Sequence, residues 1–228
     1  MSTLRQALSW LADGSHWTGT GGILQRLAEH LQMFALVMLI AAAIALPLGL
    51  IIGHARKGAF LAVNAAGIGR AIPSFGVLAF AFPLALRYRL PGPFAFWPTL
   101  ITLVVLAVPP LLTNTYVAVS NVDADTLEAA RGIGMTERQV LLRLELPLAA
   151  PLMLDTLRTV AVQVVATATL GAVVGWGGLG RYIVLGFAND IYHDQLLGGA
   201  ILVALLAIAV DVVFGLASRL PALRRVRV

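Results

Sequence analysis

The sequence predicts an all-α integral membrane protein with about five transmembrane helices. Three observations carry this. Of its 228 residues, 59% are hydrophobic and only 12% are charged, roughly half the charge fraction of an ordinary soluble domain. The mean hydropathy is +0.89. Uncharged runs at residues 31–53, 94–121 and 159–180 each reach the ~20 residues a helix needs to cross the hydrocarbon core.

The elements follow in order. Residues 1–30 hold no continuous apolar core of signal-peptide length and read as an N-terminal external segment. Residues 31–53 form the first span. Residues 54–70 read as an interfacial helix leading to Pro73, whose missing N–H suits the first turn of a helix. The alternative is one long span over 59–86, kinked at Pro73. The second span, 71–86, is short but runs into Arg87 and Arg89, whose aliphatic stems let the charges snorkel. The third and fourth spans are 94–121 and 159–180, and the fifth is 195–218, running past Asp211. Residues 1–228 therefore make a single membrane domain, with no separate soluble one.

Orientation follows from the cations. Arg56, Lys57, Arg131, Arg138, Arg143, Arg219, Arg224, Arg225 and Arg227 fall on one side, against Arg5, Arg26, Arg87, Arg89 and Arg181 on the other. The positive-inside rule puts the larger group in the cytoplasm, with the N-terminus out and the C-terminus in; Arg87 and Arg89 run against it.

Several functions are excluded by what is missing. Cysteine is absent, so disulfides and thiolate metal sites are ruled out. The sole lysine, Lys57, lies outside any P-loop, so the chain is not itself an ATPase. His16, His30, His54 and His193 are dispersed, which leaves no metal-ligand spacing. No nucleophile elbow is present, so nothing marks an enzyme. Arginine outnumbers lysine fifteen to one but is scattered along the chain, giving no nucleic-acid stripe.

One polar island interrupts the apolar pattern. Residues 127–147 read LEAARGIGMTERQVLLRLELP. Asp123, Asp125 and Thr126 are candidate caps for a helix through Arg131, and Thr136 is a candidate cap for a second one. Gly132 and Gly134 allow a sharp turn and close backbone approach between them. Glu128 is placed to accept bonds from backbone or arginine groups at the joint, and Pro147 to open the next membrane helix.

Glu128-Ala129-Ala130, then Gly134 six residues after the glutamate, then Leu144 and Leu146-Pro147, resemble the EAA loop of the membrane subunits of binding-protein-dependent ABC importers. Leu144 stands where that pattern has isoleucine. The resemblance implies a type I ABC importer permease fold, in which residues 127–147 are the cytoplasmic coupling loop that docks on a separate ATPase. It implies coupling roles for Glu128, Ala129, Ala130, Gly134, Leu144, Leu146 and Pro147. The implied partners are that ATPase, which binds the ATP, a second permease copy or sister chain, an external substrate-binding protein, and the lipid of a bacterial cytoplasmic membrane. No cofactor belongs to this chain.

A second stretch, residues 171–180, resembles the VGxGGLG turn of the same family, with Gly175, Gly177, Gly178 and Gly180 either gating the pathway or making a tight connection. Formally it also satisfies G-x-G-x-x-G, but it ends a membrane helix outside any βαβ unit. Ile72-Pro73-Ser74, Asn114-Thr115-Tyr116 and residues 166–170 look like the permeases for glycine betaine, carnitine and choline. Alternating-access import of quaternary ammonium osmoprotectants is the implied function. Asn114, Gln163, Thr167 and Thr169 are candidates to line the pathway, although helix packing explains small threonines equally well.

Methionine or another small solute is the alternative ligand. An ion-coupled secondary transporter is the rival mechanism, and it would use the intramembrane carboxylate Asp211. Asp155 and Arg158, three apart on one helix face, can pair with each other.

Overall fold

A computed structural model describes residues 3–57, 60, 64, 67, 71, 73–188 and 193–217, and no strand occurs among them. Its α-helices are α1 (Thr3–Ala12), α2 (Ile23–His54), α3 (Ser74–Arg87), α4 (Phe96–Ser120), α5 (Ala124–Gly132), α6 (Glu137–Val140), α7 (Leu146–Thr167), α8 (Gly180–Ala188) and α9 (His193–Ala217). A π-helical turn, Leu141–Glu145, joins α6 to α7, and a 3-10 segment, Ala168–Val174, follows α7.

Among the described residues, four helical stretches are long and apolar enough to cross a membrane: Ile23–His54, Phe96–Ser120, Glu137–Val174 and His193–Ala217. A shorter apolar helix, α3, has 14 residues, hence about 21 Å of length, short of the ~30 Å core. Pro73 caps it with extended backbone, so the proline sits just before the first turn. The expected interfacial helix at 54–70 falls mostly outside the described residues, as does the arginine tail.

The fourth span differs from expectation. It begins well before residue 159, because helix runs unbroken from Glu137 through the π turn into α7. The apolar run marked where charge stops, whereas backbone hydrogen bonding carries the helix on through the polar residues. Pro147 accordingly lies inside a continuous helix and does not open one. Its ring removes one i→i−4 bond and crowds the carbonyl four residues back, and the wider π turn lies immediately before it.

The chain divides into two compact units. One holds the described residues of Met1–Leu39, Pro73–Val104 and Ala161–Val210; the other holds those of Ile40–Ile72, Val105–Val160 and Asp211–Val228. The first is centred on Trp10, Ile23, Leu179, Tyr182 and Val203. Its N-terminal helix α1 has the periodicity of a packed helix, with Ala7 and Trp10 buried. Trp10 meets Tyr182 edge-on at 5.1 Å.

Among the described residues, the second unit holds two clusters. Ala118, Val119, Ala149 and Met153 pack with Leu46 and Leu50. Val122, Leu127, Ala130 and Val140 pack with Met135 and Leu144. Small residues let its helices approach closely. A Cβ on Gly49 would lie 2.6 Å from that of Thr115, and one on Gly53 would lie 2.7 Å from that of Val119.

Candidate functional site

The polar island is an ordered helix–turn–helix within the second unit. Asp123 caps α5 by accepting from the Thr126 N–H at 2.9 Å and from its hydroxyl at 2.9 Å. That backbone bond, aided by the hydroxyl, holds the Asp123 carboxyl below the usual aspartate range. Thr136 caps α6 in a full capping box, since the Thr136 N–H donates to Gln139 Oε1 and the Gln139 N–H returns to the Thr136 hydroxyl.

Between these caps, the end of α5 is a Schellman motif. Met135 N–H donates to Ala130 O at 3.1 Å and Gly134 N–H to Arg131 O at 2.9 Å, the paired 6→1 and 5→2 bonds of that turn. Gly134 has φ +91°, the left-handed conformation that L side chains resist. Met135 seals the motif by packing into the Leu127–Ala130–Val140 cluster. This accounts for a glycine six residues after Glu128: it is the residue that reverses the chain between α5 and α6.

Gly132 differs from expectation. It is the last α5 residue and makes no left-handed turn. A Cβ on Gly132 or Gly134 would meet nothing within 4 Å, so neither mediates close approach. Glu128 and Ala129 are exposed and Ala130 is buried. The joint is bridged not by Glu128 but by Arg131, whose guanidinium donates to both oxygens of Glu137 at 2.8 and 3.0 Å. Leu144, Leu146 and Pro147 are half-buried on the helix leading into α7. At the outer tip Ile133 is 83% exposed, an apolar knob flanked by exposed polar residues that sequence reasoning passed over.

Three further residues became visible only in three dimensions. Glu145 is fully buried and its Oε2 accepts from His54 Nδ1–H at 2.5 Å. The other ring nitrogen of His54 lies 3.4 Å from Glu137 Oε2. Arg56, itself in left-handed backbone at φ 49°, donates to Val122 O at 2.5 Å. The end of α2 thus holds both stems of the island, Val122 before α5 and Glu145 before α7. Nothing local signals these pairs, since their members stand 66 and 91 residues apart.

The intramembrane charges also pair differently from expectation. Arg158 binds not Asp155 on its own helix but Asp211 on α9, with Nε–Oδ1 at 2.6 Å and Nη2–Oδ2 at 2.5 Å. A planar guanidinium meets a carboxylate best with two parallel bonds, a geometry that the facing helix supplies. Asp211 is therefore committed to a cation and is no lone carboxylate.

The second glycine stretch lies in the first unit. Gly178 N–H donates to Glu29 Oε2 at 2.8 Å, and Arg26 holds the same oxygen at 2.9 Å. A Cβ on Gly177 would fall 1.9 Å from that oxygen, and one on Gly180 would fall 2.6 Å from Thr169 Cα. Gly175 is exposed at φ +92°, with open space around it. The stretch is thus tied through Glu29 to the start of α2. Among the pathway candidates, Asn114 and Gln163 are exposed, while Thr167 and Thr169 donate their hydroxyls to Gln163 O and Ala166 O of their own helical stretch.

Residues 23–222 match the family model described as binding-protein-dependent transport system inner membrane component. The choline transport system permease protein OpuBB of Bacillus subtilis is 34% identical over 202 residues, covering 89% of each chain. The carnitine transport permease protein OpuCD of Listeria monocytogenes is 33% identical over 220 residues, covering 96% of this chain and 93% of that one. Among solved structures, the MetNI methionine ABC transporter superposes with TM-score 0.67 at 25% identity, covering 86% of this chain and 96% of that one.

Proposed function

The chain belongs to the family of binding-protein-dependent transport system inner membrane components, and on that footing we propose that it imports quaternary ammonium osmoprotectants such as glycine betaine or choline. It is a multi-pass permease subunit of an ABC importer and not an enzyme. The ligand reading is supported by relatives named for choline and carnitine transport at 33–34% identity across most of the chain.

The observation that carries the mechanism is the exposed, capped turn at 124–145. Its two helices are capped at their starts, reversed by Gly134, and continuous through the π turn with a membrane-length helix. Such an element passes displacement along its axis instead of absorbing it. In our reading the exposed Glu128, Ala129 and Ile133 dock on the ATPase, and closure of the ATPase pushes α6 and α7 as one lever. Two permease copies, or this chain and a sister, then alternate between outward and inward access. The external binding protein selects the ligand, and cation–π contacts with aromatic side chains suit a quaternary ammonium. The permease supplies a weakly polar passage for which Asn114, Gln163, Thr167 and Thr169 are the candidates. The bidentate Arg158–Asp211 pair weighs against an ion-coupled carrier, which needs a carboxylate free to exchange protons.

The test is uptake of labelled glycine betaine, choline and methionine by cells lacking their own importers. They express the chain with its ATPase and binding protein, beside a Gly134→Val variant. Betaine or choline uptake, lost in the variant, is expected. Methionine uptake alone would overturn the ligand class, and uptake persisting without the ATPase would overturn the mechanism.

A further inference from the structure

We propose that the C-terminal end of α2, through His54 and Arg56, is a second receiver of the coupling stroke, clasping the island so that α2 moves with α7. The inference rests on reading the island as the coupling segment, and three independent observations converge on it.

The first is that the clasp has two points. Arg56 holds Val122 O, at the stem entering α5, and His54 holds Glu145, at the stem leaving toward α7. A single contact would be a hinge, whereas contacts at both stems prevent the island from rotating against α2.

The second is the nature of the contact at Glu145. This carboxylate is fully buried, and its Oε1 has no hydrogen-bond partner among the described residues, so His54 is what compensates it. A buried carboxylate deprived of its partner is strongly unfavourable. Separation of α2 from the π turn is thereby penalised throughout the stroke. On its other side the ring faces Glu137, which Arg131 holds in turn. Arg131, Glu137, His54 and Glu145 form one polar chain from the end of α5 to the π turn.

The third is that the apolar packing leaves no slack. Leu46 and Leu50 of α2 pack on Ala149 and Met153 of α7 and on Ala118 and Val119 of α4. Gly49 and Gly53 bring the α2 backbone against Thr115 and Val119, with no room for a Cβ. Interiors packed this closely transmit displacement instead of absorbing it. His54 and Arg56 are positioning residues: on this reading they touch neither ligand nor ATP, and they set how much of the lever's motion reaches α2.

The experiment uses the full transporter, with its ATPase and binding protein, in proteoliposomes, reading ligand imported per ATP hydrolysed. His54→Asn keeps a donor where Nδ1 stood, facing Glu145, and His54→Gln keeps one where Nε2 stood, facing exposed Glu137. His54→Asn is expected to retain at least half of the wild-type ratio. His54→Gln, and the charge-free double variant His54→Leu/Glu145→Leu, are expected to lower it ten-fold or more while still binding the ATPase. Indistinguishable ratios for the Asn and Gln variants, or a wild-type ratio in the double variant, would overturn the proposal.

A second arm does not depend on how the double variant folds. The chain has no cysteine, so Lys57→Cys/Asn121→Cys, which leaves both clasp residues in place, can be joined by a short bismaleimide linker. If α2 and the island move together, the linked transporter keeps uptake within two-fold of the unlinked one. Loss of transport on linking would show that they must part, and would overturn the proposal. Wild-type uptake that needs no ATP would instead remove the coupling reading itself, so that arm is run first.

Discussion

Replacement of Gly134 by alanine separates conformational from steric demand. A Cβ at this position would meet nothing within 4 Å, so no clash contributes. What remains is φ +91°, and left-handed backbone costs an L residue roughly 1–2 kcal/mol. That cost reduces the population of the native turn about 5- to 30-fold relative to competing loop conformations. Because Ile133 and Glu128 are displayed by this turn, binding of the ATPase to the permease in nanodiscs should weaken, by at most that factor, as the competent fraction falls. Gly134→Asn should bind more tightly than Gly134→Ala, since asparagine visits left-handed backbone more readily. Gly132→Ala is the control. It sits two residues away, equally open but helical, where alanine is favoured over glycine by about 0.8–1.0 kcal/mol, so binding should be unchanged or slightly tighter. Wild-type affinity for Gly134→Ala, or an equal loss for Gly132→Ala, would refute the Schellman account of the motif.

Three other outcomes follow from the packing. Gly53→Ala places a Cβ 2.7 Å from that of Val119 and should cost about 1–3 kcal/mol by overpacking, read as a lowered unfolding temperature in detergent; Gly14→Ala, with open space around it, should leave that temperature unmoved. Arg158→Leu and Asp211→Leu should each reduce the folded yield, because each strands a charge within the spans, and the double variant should recover much of it; a double variant worse than both singles would show that the pair stabilises on balance. Thr136→Ala removes the cap of α6 at about 1 kcal/mol, which hydrogen exchange should report as faster exchange of the Gln139 amide.

How much of this was legible in the sequence depends on the range of the interaction. The capping residues Asp123 and Thr136 were readable because a cap bonds to a neighbour three residues away. Gly134 was readable as a turn, yet Gly132 looked equivalent, because only the backbone path distinguishes a last helical residue from the one that reverses the chain. The uncharged run at 159–180 understated the fourth long helix, since charge marks where the apolar sequence stops and backbone hydrogen bonding carries the helix on through polar residues. Asp155 and Arg158 satisfied the local rule for an ion pair, but Asp211 on the facing helix offered the guanidinium a two-bond geometry.

By itself the sequence determined the class of protein. Long uncharged stretches leave no soluble alternative, and Asp123, Gly134 and Thr136 encode a capped, glycine-reversed turn whose bonds are all local. Only the tertiary structure decided what that turn is fastened to. His54 and Glu145 are 91 residues apart, and neither is unusual in its own neighbourhood. Burial of a carboxylate demands a partner but not a particular one, and the choice fell to whichever donor the packing of α2 against α4 and α7 carried to it.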